Sequence, residues 1–301
     1  MEFFIIFNES LLPLFLIIGI AFFYNKNFNP NIKQITDMTL TIFAPIFVFE
    51  SLIKHNITFD QLAKPFIFMS MLTASLILLG YIIAKIFKFP DNTKTPFALS
   101  ISMINVGNFG LPLIYFTFGP EAVTYSVIYF ITFNISLSTV AIYLSSGKSR
   151  IVDILKDVFS IPLFHAFIIG MIFSYFGITL PGSINKGLTL LSQAAIPLLI
   201  FILGLQLANI KFQASYFSII LIAVFCRLAL SPLISFFALK AITITDLEAK
   251  VALIQTSGPS AILPLMYAIK FNRSPDLIAA IIFFTTIFSG ITLTLLIKLI
   301  A

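Results

Sequence analysis

The chain of 301 residues is 59% hydrophobic and only 10% charged, with a mean hydropathy of +1.07, which is more apolar surface than a water-soluble domain can hide. Its net charge of +6 fits basic loops beside a membrane better than a nucleic-acid footprint. One cysteine, Cys226, and two histidines, His55 and His165, exclude an intrachain disulfide and leave too few soft ligands for a dedicated zinc site, so neither metal nor cofactor is expected.

Lipid is the solvent that this composition implies, and backbone hydrogen bonds in lipid must close within helices or a sealed barrel. Long apolar runs without ten-residue alternation select helices. The first residues, Met1 to Asn8, lack the basic segment of a cleavable signal, and their apolar stretch reads as the lead-in to a first span. Ten spans follow in chain order: Glu9–Tyr24, Thr36–Ile53, Phe66–Phe87, Phe97–Phe118, Val123–Leu144, Phe159–Ile178, Leu188–Leu207, Tyr216–Leu239, Ala249–Ile269 and Leu277–Ile300. Each approaches the roughly 20 residues that cross a ~30 Å core, the first only if Phe3 to Phe7 extend it. Loops such as Asn25 to Gln34 and Ser145 to Asp157 are short and polar. Tryptophan is absent, so tyrosine, lysine and arginine must supply the interfacial belt.

Lysine and arginine set the orientation. With the N-terminus outside, inner loops hold Lys26, Lys33, Lys85, Lys88, Lys94, Lys148, Arg150, Lys156, Lys211, Lys270 and Arg273. The outer side holds Lys54, Lys64, Lys186, Lys240, Lys250 and Lys298. Eleven against six places both termini outside, on the periplasmic face of a bacterial inner membrane.

The halves repeat. Leu111 to Tyr115 (LPLIY) returns 152 residues later as Leu263 to Tyr267 (LPLMY), and the same offset carries Pro45 onto Pro197. Five spans per half, an odd number, require that the second copy enter from the opposite side. The expected fold is therefore an all-α membrane protein of two inverted five-helix repeats, residues 1–148 and 149–301, related by a pseudo-two-fold axis in the membrane plane. Spans four and nine are each breached just before the repeated motif, at Asn105 to Gly110 and at Ser257 to Ser260. Gly107, Gly110 and Pro112 weaken the fourth span; Gly258, Pro259 and Pro264 weaken the ninth. Unwound backbone at membrane depth belongs where it is buried in protein or lines a wet cavity. A half-helix that starts at such a break aims its positive end at the gap, which suits a carboxylate or another anion. Asn105, Asn108, Ser257 and Ser260 add side-chain hydrogen bonds at the same level. The expected substrate-binding set is Asn105, Gly107, Asn108, Pro112, Ser257, Gly258, Pro259, Ser260 and Pro264, with the two breaks crossing near the midplane.

Other polar residues in the spans have two readings each. Arg227, mid-way along the eighth span, either attracts an anionic substrate or bonds carbonyls freed by Pro232. Glu50 is either an ion-coupling carboxylate or the partner of Lys54 in an interfacial pair four residues apart. Gln193, Gln206 and Gln255 either reach the cavity or bridge helices. Pro45 and Pro197 read as structural kinks.

The stretch Asn105 to Leu113 (NVGNFGLPL) followed by Phe118 and Gly119 resembles the fourth-span signature of the auxin efflux carrier family of membrane transport proteins. Pro197 with Leu203 and Gly204 resembles its seventh-span pattern, and Ser257 to Ala261 with Pro264 and Tyr267 resembles its ninth. The short connection between spans five and six is similar to the bacterial branch. The resemblance implies a fold related to bile-acid sodium symporters, a scaffold of spans one, two, six and seven, a transport unit of the other six, and elevator movement. It implies organic-anion substrates: auxin in plants, and dicarboxylates such as malate or malonate in some bacteria. The acidic and basic residues that plant members carry in the third span have no counterpart in Phe66 to Leu79.

The expected function is secondary transport of small organic anions, with membrane lipid as surroundings, sodium or protons as candidate coupling ions, and a homodimer left open. A coupled carrier for a sterol-like or amino-acid solute, and a channel or sensor, are the alternatives. No span holds a paired aspartate, a His-Glu-x-x-His or a Ser–His arrangement, which argues against an intramembrane enzyme. The topology is directly testable. In sealed cells, Lys148→Cys is expected to resist a membrane-impermeant thiol reagent added from outside and to react after lysis. Labelling before lysis reverses the assigned orientation.

Overall fold

The computed structural model describes residues 2–54, 60–146, 159, 162–210, 216–271 and 273–300. Among these residues the chain is helical almost throughout and forms no strand. Twelve helices follow in order: α1 Glu2–Phe28, α2 Ile32–Lys54, α3 Asp60–Ile86, α4 Asp91–Ser102, α5 Val106–Phe118, α6 Pro120–Ser146, α7 Pro162–Phe176, α8 Gly182–Leu207, α9 Phe217–Ile242, α10 Asp246–Thr256, α11 Leu263–Phe271 and α12 Pro275–Ile300. The expected fourth span is thus two helices, α4 and α5, and the ninth is α10 and α11. Phe3 to Phe7 do lengthen the first span. His55, Lys211 and the segment with Lys148, Arg150 and Lys156 lie outside the described residues.

Proline explains where the helices deform. Four spans contain a five-residue turn wound more widely than an α-helix: Phe7–Leu11, Thr39–Phe43, Val106–Gly110 and Cys226–Leu230. Two residues after each stands a proline: Pro13, Pro45, Pro112 and Pro232. A proline ring lacks a donor and crowds the carbonyl four residues back. Winding the preceding turn to an i→i+5 pattern moves that carbonyl aside without ending the helix. Pro197 is accommodated differently, by an interruption of α8 at Ala194.

The second half of α2 packs along α7, and the second half of α8 packs along α1. The α1–α8 crossing is close because Gly204 has no side chain: a methyl there would run into the carbonyl of Ile18 and the methyl of Ala21. Elsewhere α3 packs on α4, α6 and α9, while α12 touches α1, α4, α9 and α11. A separate buried cluster joins α3, α4, α9 and α12 through Ala84, Phe97, Ile101, Ile220, Cys226 and Ile281.

The outer surface is as apolar as the interior. Phe4 is 70% exposed and Leu299 81%. Six helices, α1, α2, α3, α8, α9 and α12, are long and apolar enough to cross a membrane, and α5 and α7 are shorter apolar helices. The chain is an integral membrane protein, with lipid covering these side chains.

Gly204 and Gly19 form a matched test of the α1–α8 crossing. Nothing lies within 4 Å of a methyl built at Gly19, so Gly19→Ala is expected to hold or raise the melting temperature in detergent through helix propensity, worth about 1 kcal/mol. Gly204→Ala overpacks the crossing at about 1–3 kcal/mol and is expected to lower it by a few degrees. Equal behaviour of the two variants excludes close packing as the role of Gly204.

Candidate functional site

The two breaks meet. Helix α4 ends at Ser102 and α10 at Thr256, and the chain beyond each end pairs antiparallel with the other, Ile104 opposite Ser260. The Asn105 N–H donates to the Pro259 carbonyl at 2.9 Å, and the Ala261 N–H donates to the Met103 carbonyl at 2.8 Å. Buried backbone groups released from a helix must find partners, and each break supplies them to the other. Side chains complete the joint. Gln255 Nε2 donates to the carbonyls of Val106 at 3.0 Å and Ser126 at 3.1 Å, which ties α10 to α5 and α6. Ser260 donates its hydroxyl to the Ser100 carbonyl at 2.7 Å, and its N–H donates to Thr285 Oγ1 at 3.2 Å.

Arg227 closes the same joint from α9. It projects from the wide turn Cys226–Leu230 and is fully buried. Nε donates to the Gly258 carbonyl and Nη1 to the Ile101 carbonyl, both at 2.9 Å, and Nη2 donates to the Thr256 carbonyl. These oxygens lie at the C-terminal ends of α4 and α10. No ion pair of Arg227 with a carboxylate occurs among the described residues. Of its two readings, bonding to freed carbonyls is the one seen, and the carbonyls come from the breaks rather than from the turn displaced by Pro232. A buried guanidinium needs such partners, because desolvation without them costs several kcal/mol.

A cavity of about 160 Å³ opens where the second half-helices begin. Val106, Gly107 and Asn108 from the first turn of α5 line it, with Ile262 and Leu263 at the start of α11. Other walls come from Thr36 and Leu40 of α2, Phe130 and Phe133 of α6, and Gln206 of α8. In the first turns of α5 and α11 the Val106 N–H donates to the Ile104 carbonyl and the Leu265 N–H to the Ile262 carbonyl, both at 2.9 Å, and Pro264 has no N–H, so the donors of Gly107, Asn108 and Leu263 remain. Asn105, 6% exposed, also borders the cavity, and its Nδ2 has no partner among the described residues. Thr36 Oγ1 and Gln206 Oε1 are likewise buried and unpaired. An unpaired buried polar atom costs about 1–3 kcal/mol, so three in residues around one cavity single it out from the rest of the interior. Gly107 permits the fit: a methyl there would sit 2.7 Å from the Phe130 ring.

The predicted residues divide by role. Asn105, Gly107 and Asn108 border the cavity. Gly258 and Pro259 lend carbonyls to Arg227 and Asn105. Ser257 and Ser260, expected as ligand groups, are instead 1% and 0% exposed and turn their hydroxyls onto backbone carbonyls, Ser257 onto Leu253 at 2.6 Å. Their contribution to the cavity is replaced by the backbone of Ala261, Ile262 and Leu263. Pro112 is buried behind the break, and Pro264 faces Thr95 and Pro96 of α4. Thr36, Phe130 and Phe133 carried no motif and were not anticipated.

A second cavity, about 480 Å³, lies away from the breaks beside Glu50, Lys54, Tyr115, Ser192, Gln193 and Pro197. Its size does not make it the better candidate. The Glu50 carboxylate accepts from Lys54 Nζ at 3.3 Å and from Thr189 Oγ1 at 2.6 Å, which ties α2 to α8. That carboxylate already has partners, whereas the smaller cavity gathers groups without them.

A family model described as membrane transport protein matches residues 6–297. An uncharacterized transporter of Methanocaldococcus jannaschii is 32% identical over 224 residues, covering 72% of each chain. One of Methanothermobacter thermautotrophicus is 31% identical over 210 residues, covering 68% of each. With a match that runs almost from end to end and a fourth-span motif folded into one of two paired breaks, the chain belongs to the membrane transport protein family, the auxin efflux carrier family.

Proposed function

We propose that this membrane protein is a secondary carrier of small organic anions, carboxylates above all, and that it binds them in the cavity at the crossing of its broken helices. The observation that carries this reading is the buried, unpaired Asn105 amide beside the starts of α5 and α11. Each helix start is equivalent to about half a positive charge, so two of them match one carboxylate. Asn105 Nδ2, the Asn108 amide and the N–H of Gly107 are the donors for its oxygens. Gln206 and Thr36 orient the remainder of the ligand. At about 160 Å³ the cavity falls below the roughly 300–1,000 Å³ of drug-sized sites, which favours a ligand of few heavy atoms.

Transport follows the inverted-repeat arrangement. Helices α1, α2, α7 and α8 form the scaffold, a grouping supported by the packing of α7 on α2 and of α8 on α1. The other helices carry the crossing past them as an elevator, with α4–α5 and α10–α11 counting as one span each. Thr36 and Gln206 belong to the scaffold, and Asn105 and Asn108 to the moving unit. A ligand held between them therefore changes partners as the unit slides. Both termini lie on the outer face of the plasma membrane, the inner membrane in a bacterium.

Uptake by reconstituted liposomes, preloaded with each member of a mono- and dicarboxylate panel, tests the reading. Counterflow of at least one labelled carboxylate is expected. Asn108→Ala removes one bond at a desolvated site, about 1–3 kcal/mol, and weakens binding roughly five- to a hundred-fold. Asn108→Asp is expected to do more harm than Asn108→Ala, because a second carboxylate repels an anion. If Asn108→Asp binds better than wild type, the ligand is cationic and the anion assignment fails. Wild-type uptake by both Asn105→Ala and Asn108→Ala removes this cavity as the site.

A further inference from the structure

We propose that Arg227 is a tethered counter-cation that takes the place of a coupling alkali ion at the crossing, so that sodium has no site there. The inference deepens the carrier reading and rests on it for its link to transport. Its test needs no substrate.

Three carbonyl oxygens surround one position: Ile101 from the end of α4, and Thr256 and Gly258 from the end of α10. Converging carbonyls from unwound backbone, with the negative ends of half-helices, are what coordinates a sodium ion in transporters with broken helices. Here the group at that point is a guanidinium. Each helix C-terminus is equivalent to about half a negative charge. Two sum to about one, and one guanidinium cancels them. No carboxylate among the described residues adds to the negative side. A sodium ion within about 4 Å of the guanidinium would meet a like charge, a penalty of roughly a thousandfold at protein-like permittivity. Guanidinium and sodium are therefore mutually exclusive at these oxygens.

The cation is also held to the element it serves. Ser235 of α9 shares a 2.7 Å hydrogen bond with Thr256 of α10, a further tie between the helix that carries Arg227 and the break that supplies two of its three acceptors. Arg227 does not border the ligand cavity. It is a positioning residue: it fixes the breaks in their paired form and offsets the negative ends of α4 and α10, while no charged side chain among the described residues lining the cavity offsets the helix starts.

The full chain, purified in detergent, is melted in sodium chloride and in choline chloride at equal ionic strength, without any carboxylate. Wild type is expected to melt within about 1 °C in the two salts, and Arg227→Lys to keep that indifference. In choline, Arg227→Ala is expected to melt roughly 5 °C or more below wild type. It should recover part of that loss in sodium or in millimolar guanidinium, because a ligand that binds only the folded state raises its stability. Stabilisation of wild type or of Arg227→Lys by sodium over choline overturns the proposal. So does Arg227→Ala that melts like wild type, or that recovers with neither cation. Should Arg227→Ala not fold, the salt comparison on wild type and Arg227→Lys decides alone. Sodium-indifferent melting together with no carboxylate counterflow refutes the carboxylate reading and leaves the assignment of Arg227 standing.

Discussion

Backbone amides that leave a helix in the membrane interior have no water to turn to, and each must find its partner inside the protein. The rest of this architecture depends on how that demand is met. One broken helix would leave a row of orphaned groups. Two broken helices brought together satisfy each other: Met103 and Asn105 exchange hydrogen bonds with Ala261 and Pro259. The short antiparallel pairing lets non-helical backbone exist at a depth where it is otherwise excluded. Gln255 and Arg227 then take up carbonyls that the pairing does not reach. The joint is polar and fully internal, so it resists re-forming a continuous helix in either half.

The same joint sorts charge by direction. A helix broken in the middle presents a C-terminal end and an N-terminal end within a few residues of one another, and their fields would partly cancel. Arg227 is bonded only to the C-terminal side. The N-terminal ends, at Val106 and Leu263, border the cavity. In the carrier reading proposed above, a cation favours an anion site without standing in it, which neither of the two readings of Arg227 from sequence had described.

Much of this was legible in the chain. The 152-residue offset identified the paired breaks, and Gly107, Pro112, Gly258 and Pro264 located them to within a few residues, because proline and glycine act on backbone that is adjacent in sequence. What could not be read were contacts across the bundle. Thr36, Phe130 and Phe133 reach the cavity from α2 and α6, and no local pattern distinguishes them from neighbours that face lipid or core; Gln206 joins them from α8, one of the two roles its sequence position had left open. The offset itself misled at Ser257 and Ser260. It maps them onto Asn105 and Asn108, but the inverted repeat read from the sequence would also exchange the sides that the two breaks face. The asparagines border the cavity; Ser260 is buried against the Ser100 carbonyl, and Ser257 lies beside a separate cavity with Leu228, Pro232 and Leu293. Amide at one pair and hydroxyl at the other is consistent with that division, since a serine hydroxyl can close onto the carbonyl four residues back, as Ser257 does.

The wide turns before Pro13, Pro45, Pro112 and Pro232 have a consequence for how these helices are compared. An i→i+5 turn holds one residue more than an α-turn, and each residue advances a regular helix by about 100°. The faces before and after such a turn are therefore out of phase by one position, and a single stripe of core residues cannot be traced through it. A relative that lacks the proline can lose one residue at the same place and keep every outward and inward face unchanged. Gaps of one residue inside membrane spans, ordinarily treated as alignment errors, are physically permitted just before these four prolines.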